Sequence, residues 1–277
     1  MVATPIGNLG DISPRVEQAL QVADLIVAED TRRTAKLLSH LGIDKPVESF
    51  HAHSDASKLH RILSRLQRGG TVACVSDAGT PTVSDPGAEL VKATHEAAIT
   101  VSPIPGPSAI TAALSVSGMN ADRFVFLGYP PRKAGRRADF CRLVLAQSLT
   151  VVIYEAPHRI AATLRDLATL AGDRDAMIGR EMTKKFEEFL PGTLAELASH
   201  FSEHEPRGEF VIVIEAAPDQ PSHPHLDETI IHSVIAELLA SGLSVRTAAD
   251  TVAKLTSIPR KHAYDMALHA AESSTDE

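Results

Sequence analysis

The chain has no tryptophan, only two cysteines, and aromatic residues at just 4 % of its 277 positions. With so few rings, any core must be built from Ala, Val, Leu and Ile, which suits strands buried on both faces beneath helices. Cys74 and Cys141 lie far apart, and neither belongs to a CxxC or Cys/His pattern. That spacing implies no disulfide framework, fits a reducing cytoplasm and gives no cysteine-based metal site. Cys74 sits in the apolar run Thr71–Val75 and reads as a small core hydrophobe. No apolar run is long enough to span a bilayer, and the N-terminus lacks the basic and apolar regions of a signal peptide. Positive charge is also scarce: a formal net charge of −8 counts against a protein that coats nucleic acid non-specifically.

What is present is 44 % hydrophobic and 22 % charged, ordinary for a globular chain long enough for two domains. Short apolar runs alternate with helical spacings. Val22–Ala28, Thr71–Ser76 and Ile99–Ile104 read as strands, with helices over Ala56–Gln67 and Gly87–Ala98 between them. This predicts right-handed βαβ units, a mainly parallel sheet and a domain over 1–118. The pattern resumes with strands at Phe124–Leu127, Thr150–Tyr154, Ala176–Arg180 and Phe210–Glu215. Helices at Arg136–Ala146, Ala156–Ala171 and Leu194–Phe201 alternate with them, giving a second α/β domain over 119–217. Prolines mark 218–225 as a linker. Beyond it, 226–277 reads as a small helical module: Leu226–Ala240, Val245–Leu255 capped by Ser244, and a helix opened by Pro259 and running to about Ala271.

Four Gly/Pro-rich loops each follow an expected strand: Thr4–Gly10, Ser76–Gly87, Pro103–Ala109 and Gly128–Pro131. Only three residues precede the first of them, so strand one should be short. In an open α/β sheet, ligands bind beyond the carboxyl ends of strands. Glycines admit close backbone approach, and prolines fix the loop before the ligand arrives. The opening segment is neither GxGxxG nor a P-loop, which disfavours a dinucleotide or triphosphate site. One run stands against the acidic background: Arg132, Lys133, Arg136, Arg137 and Arg142 against the single acid Asp139.

ATPIGNLGDIS, AEDTR, SDAGTPTVSDPG, PIPGPSA, YEAPHR, GREMTKKFEE and GEFVIVIE occur in that order. Together they closely resemble a bacterial family of S-adenosylmethionine-dependent ribosomal RNA (cytidine-2′-O-)-methyltransferases with the tetrapyrrole methylase fold, over roughly Val2–Ala216. The resemblance implies two α/β domains with S-adenosylmethionine in the cleft between them, no metal, a homodimer, and small-subunit (16S) ribosomal RNA or the assembled subunit as substrate. By motif, Pro5 would close the first strand end. Asp77, Ala78, Gly79 and Pro81 would form the cofactor floor, with Val83, Ser84 and Asp85 beside it. Ser108 and Ala109 would add backbone contacts. Tyr154 and Met182 would flank the adenine, and Gly208, Glu209 and Phe210 would complete that side.

A ribose hydroxyl is a weak nucleophile, so a base or a nearby cation should assist it. Lys184 with Glu187 is one such pair, with Glu29 another proton acceptor. The mixed charges at 184–188 read equally as a solvated helix face. Glu29, Asp30 and Arg32 read first as an internal ion pair that holds their loop. The basic run, with Arg132, Lys133, Arg136 and Arg137, and the strand-end pair His158 and Arg159 are the expected RNA contacts; an exposed loop and a helix cap are the alternatives. His51, His53 and His60 lack a further spaced ligand and read as surface or capping residues. The C-terminal helices, with Arg260 and Lys261 opening the last, suit nucleic acid or a dimer partner equally. Because fold does not fix substrate, a methyltransferase acting on a tetrapyrrole or a protein side chain is the nearest alternative. A non-catalytic nucleic-acid-binding ligand sensor is the one from another class.

Overall fold

In the computed structural model, which describes residues 1–51, 55–203, 206–217, 228–256 and 258–273, the first unit is Met1–Ala217 and the second Pro218–Glu277. The proline-rich segment 218–225 and His53 lie outside the described residues.

The first unit opens with a parallel sheet in the order β2 (Val47–Ser49), β1 (Leu25–Ala28), β3 (Val72–Val75). It is extended by single residues. Val2 bridges in parallel to Val75 on one side and to Ile104 on the other. Strand one is thus reduced to a bridge, and the strand expected over Ile99–Ile104 is also only a bridge, because Pro103 and Pro105 interrupt its ladder. Both faces of the sheet are covered. On one, Ile26, Ala28, Ala73 and Val75 pack on α1 (Pro14–Val22) and α2 (Thr31–His40). On the other, Leu25, Val27 and Cys74 pack on α3 (Ala56–Gln67) and α4 (Ala88–Glu96). Two-sided cover explains why the strands read as unbroken apolar runs.

The second sheet runs β4 (Phe124–Phe126), β5 (Thr150–Glu155), β8 (Phe210–Ile214), β6 (Asp175–Arg180), β7 (Glu188–Thr193). β4 and β5 are parallel, but every other neighbouring pair is antiparallel, so this sheet is mixed. Alternation along β5 divides its faces. Val151 and Ile153 meet α6 (Ala134–Leu145), α7 (Pro157–Ala171) and α8 (Leu194–Glu203), while Val152 and Tyr154 face the other way. That other face is covered by α5 (Ala109–Ser117), through Ile110, Ala113 and Leu114. A boundary at 118 therefore leaves α5 with the N-terminal half in sequence, although it packs on the second sheet. Each fully buried Ile or Leu in these layers contributes about 1.5–3 kcal/mol.

In the second unit α9 (Glu228–Ala240), α10 (Val245–Thr256) and α11 (Arg260–Ser273) enclose Ile231, Ile235, Ala249, Val252, Ala263, Met266 and Ala267. Ser244 accepts a hydrogen bond from the Thr247 N–H at 3.2 Å, the expected cap. Arg260 is engaged by Asp250 through two bonds of 2.6 and 2.9 Å. Among the described residues no helix is long and apolar enough to cross a membrane.

Candidate functional site

The carboxyl ends of β1, β3, β4, β5 and β6 deliver their loops to one cavity in the first unit. Because β8 runs antiparallel to β5 and β6, its amino end arrives there too, with Phe210 opposite both Glu155 and Arg180. The cavity measures about 230 Å³.

Its first wall is the loop after β3. Thr4 and Gly79 exchange both backbone hydrogen bonds, at 2.9 and 3.0 Å. The Thr4 hydroxyl donates to the Ser76 carbonyl at 3.1 Å, and the Ser76 hydroxyl donates to the Gly79 carbonyl at 2.7 Å. Gly79 has φ +80°, a conformation that favours a residue without Cβ. Thr82 (φ 74°) and Ser84 (φ 62°) hold the same left-handed region without that freedom. Such strain costs about 1–3 kcal/mol per residue and persists where surrounding contacts over-determine it. Thr4 of the opening segment thus clamps the SDAGTP loop.

The opposite wall is the 181–187 loop. Glu181 (φ 48°) and Thr183 (φ 65°) are also left-handed, and buried Met182 faces the interior between them. Glu181 receives the Glu209 N–H at 3.2 Å and the Lys184 ammonium at 2.9 Å. Lys184 also donates to Glu209 at 3.0 Å. A Cβ on Gly208 would lie 2.4 Å from the Glu181 side chain, so the glycine of GEF makes room for that carboxylate. Burial by itself would depress the Lys184 pKa, but its two carboxylate partners outweigh this and raise it, keeping the side chain an ammonium. Glu187 does not meet Lys184 through its carboxylate, which instead accepts the Thr183 N–H at 2.5 Å and closes the loop on itself; nor does Glu187 line the cavity.

Asp77, Ala78, Gly79, Val83, Ser84 and Asp85 line one side of the cavity, with Ser108 and Ala109 from the start of α5. Tyr154, Met182, Lys184, Glu209 and Phe210 line the other. Most residues expected at the cofactor therefore converge. Pro5, Pro81 and Gly208 stand behind the lining rather than in it. Ile6, Arg33, Thr80, Tyr129 and Val211 also line it and were not expected from the sequence. Arg33 lies about one helical turn beyond the Asp30 cap of α2, and Tyr129 sits inside a Gly/Pro loop already singled out.

The wall is acidic. Asp77 accepts the Asp30 N–H at 2.9 Å and lies 3.6 Å from the Arg33 guanidinium. Burial first, then the neighbouring Glu29 and Asp77, push Asp85 up to about 6. Burial and Asp77 likewise raise Glu29. Asp30 pairs with Arg32 at 2.8 Å, so the ion pair expected within AEDTR forms, but with the guanidinium 87 % exposed rather than internal. Burial lifts both thiols, Cys74 and Cys141, to about 11, which leaves them inert core residues. Among the described residues, no group of three or more His, Cys, Asp or Glu side chains is placed to hold a metal ion.

Within YEAPHR, Tyr154 lines the cavity while Glu155 and Arg159 turn inward. Glu155 is fully buried, accepting the Thr163 hydroxyl at 2.5 Å and the Ala156 N–H at 2.8 Å, with the Arg159 guanidinium 3.2 Å away. Arg159, its side chain only 14 % exposed, also donates to the Pro130 carbonyl. It is an internal tie between α7 and the 128–131 loop, its guanidinium engaged inside the protein rather than presented to solvent. Arg137 is withdrawn in the same way, donating to Asp166 of α7 at 2.7 Å with its side chain 14 % exposed. Arg132, Lys133, Arg136 and His158 remain exposed.

The tetrapyrrole (corrin/porphyrin) methylase family matches residues 1–198, and the C-terminal helix-turn-helix domain of the RsmI type matches residues 231–271. The chain is 45 % identical to the ribosomal RNA small subunit methyltransferase I of Synechocystis, over 97 % of this chain and 96 % of that one. It is 46 % identical to the protein of the same name from Xylella fastidiosa strain Temecula1, over 95 % and 96 %. Among solved structures, diphthine synthase superposes with a TM-score of 0.59 at 16 % identity, covering 78 % of this chain and 88 % of its own. Cobalt precorrin-4 methyltransferase superposes at 0.56 and 15 %, covering 77 % and 92 %. At those identities the structural neighbours speak for the fold alone. With a matching cavity-bearing unit, a matching helical unit and near-full-length relatives, the chain belongs to the tetrapyrrole methylase family and, within it, to the ribosomal RNA small subunit methyltransferase I family.

Proposed function

We propose that this protein transfers a methyl group from S-adenosylmethionine to the ribose 2′-oxygen of a cytidine in small-subunit (16S) ribosomal RNA. The observation that carries the reading is the cavity itself: an acidic wall on one side, and on the other a single lysine clamped between two carboxylates. The residues fit the cofactor. Glu29, Asp77 and Asp85 supply counter-charge for a sulfonium, Tyr154 and Met182 offer apolar surface to a purine, and the Gly79 turn brings backbone close. Asp77 to Asp85, Ser108 and Ala109 would hold it from one side, and Tyr154, Met182, Glu209 and Phe210 from the other. When bound, S-adenosylmethionine supplies an electrophilic methyl group.

The chain's own residues do the rest. Much of the rate comes from holding the hydroxyl in line. Lys184, kept charged by Glu181 and Glu209, stabilises the developing negative charge on the 2′-oxygen. The proton passes to the Asp85 and Glu29 carboxylates, which burial first, and then neighbouring carboxylates (Glu29 and Asp77 beside Asp85, Asp77 beside Glu29), bring closer to neutrality and make better bases than ordinary carboxylates. Glu187 supports the loop instead of acting in the chemistry. Exposed Arg132, Lys133 and Arg136, with His158, contact the RNA backbone. The substrate is the RNA or the assembled subunit, the working form is a homodimer, and the location is the cytoplasm.

The test combines the protein with labelled cofactor and unmodified small ribosomal subunits, followed by mapping of the methyl group. A single 2′-O-methylcytidine is expected, and Lys184→Ala should slow its formation by about 100-fold or more, the scale of losing one preorganised charge-stabilising donor. Label on protein, or none on RNA, would refute the reading. A wild-type rate in Lys184→Ala would remove that residue from it.

A further inference from the structure

We propose that Tyr129 is the platform on which the target nucleobase stacks while its ribose is methylated, an inference that rests on the ribosomal RNA reading above. The ring lines the cavity yet is 55 % exposed. Its inner side rests on Tyr154, with centroids 5.4 Å apart and planes tilted by 58°, and Tyr154 in turn meets Phe126 edge-on at 4.8 Å. The row of rings therefore starts inside the second sheet and ends at Tyr129 in an open aromatic surface at the cavity mouth.

That surface is held still. On one side of Tyr129 the Gly128 carbonyl accepts the Tyr154 N–H at 3.0 Å, and Gly128 takes a φ of +69°. On the other, the Pro130 carbonyl accepts the Arg159 guanidinium, itself paired with buried Glu155. Two anchors within three residues fix the backbone of a side chain that is more than half exposed. An exposed, preorganised ring beside a reaction cavity is a docking surface for a planar partner.

Methylating a ribose oxygen inside a protein cavity requires the nucleotide to leave its stack, and a displaced base regains that loss on an aromatic face. The chain continues from Tyr129 through two prolines into exposed Arg132 and Lys133, placed to meet the phosphates of the same strand. Phe186 is exposed as well, on the loop that carries Lys184, but it does not line the cavity.

The experiment measures kcat and KM for unmodified small subunits, together with the dissociation constant for S-adenosylmethionine, in Tyr129→Ala, Tyr129→Leu, Tyr129→Phe and Tyr129→Trp. Removing the ring should lower kcat/KM for subunits by roughly 5- to 150-fold, the loss expected for one base–aromatic stack. The Phe and Trp variants should stay near the unaltered protein, and cofactor affinity should not move. Leu conserves apolar bulk without a π face, so a folded but impaired Leu variant separates stacking from packing. Wild-type kcat/KM in the Ala and Leu variants would overturn the proposal. So would impairment of Phe equal to that of Ala, or a loss of cofactor affinity matching the loss of kcat/KM. If the unaltered protein transfers no methyl group to small subunits, the functional reading itself fails, and this proposal with it.

Discussion

At the scale of the residue, Asp85 is the most informative side chain. Its pKa stands at about 6 in the folded protein against an ordinary 3.8, from burial first and then Glu29 and Asp77. The folded state thus binds this proton more tightly than the unfolded chain does. The resulting penalty is absent below the unfolded value and complete above about pH 6. Asp85→Asn should therefore stabilise the protein at pH 7.5. Discounted for the half-exposed site, the gain is about 1 kcal/mol, or roughly 2–4 °C in Tm, and it should shrink as pH falls towards 4. Calorimetry at the two pH values checks this. The same variant should lose methyl transfer, and the unaltered enzyme should lose it on the acid side with an apparent pKa near 6. A stabilised variant that remains fully active would free Asp85 from the proton-transfer role. The sequence already marked Asp85, Asp77 and Tyr154 through their motifs. It could not show that Glu187 bonds back to Thr183, or that Arg159 turns inward to Pro130, because those are choices of partner across 4 and 29 residues.

At the scale of the element, the basic stretch ahead of and within α6 divides into two kinds of cation. Arg132, Lys133 and Arg136 are exposed, whereas Arg137 is taken up by Asp166. Replacing the first three by Ala should weaken RNA binding and flatten the plot of log affinity against log salt by about 0.7–0.9 for each phosphate no longer neutralised. Arg137→Ala should leave that slope alone and lower the melting temperature by loosening α6 from α7. Titrations at several salt concentrations decide it, and an unchanged slope in the triple variant would contradict the assignment. Most elements were legible from periodicity, and the exceptions have physical reasons. β7 carries Pro191 and Gly192, which argue against a strand, but it lies at a sheet edge where a missing donor is tolerated. α5 reads AITAALSVS, with little polar face to betray its period. α1 is missing from the periodicity reading because its apolar positions are few, although the Ser13 cap and Pro14 in its first turn mark where it begins.

At the scale of the whole molecule, the two units carry separate cores. The C-terminal core rests on a few Ile, Val and Met residues and many alanines, so it buries little apolar area per residue. Scanning calorimetry of the full chain should resolve two transitions, with the helical unit melting first; one cooperative transition would show the units to be energetically joined. The parallel half of the fold was readable because two-sided burial writes continuous apolar strands. The antiparallel placement of β8 was not, since a buried strand carries no mark of its direction. That placement nonetheless builds the site, by carrying Glu209 and Phe210 to the carboxyl ends of β5 and β6.

The acidic wall of Glu29, Asp77 and Asp85 has a consequence for turnover. A methyl donor of the sulfonium type carries a positive charge that its thioether product lacks. A wall of negative groups therefore grips the loaded molecule and loosens its hold once the methyl group has gone. The same carboxylates that favour arrival would then favour departure, and a site built this way clears itself of its own spent reagent.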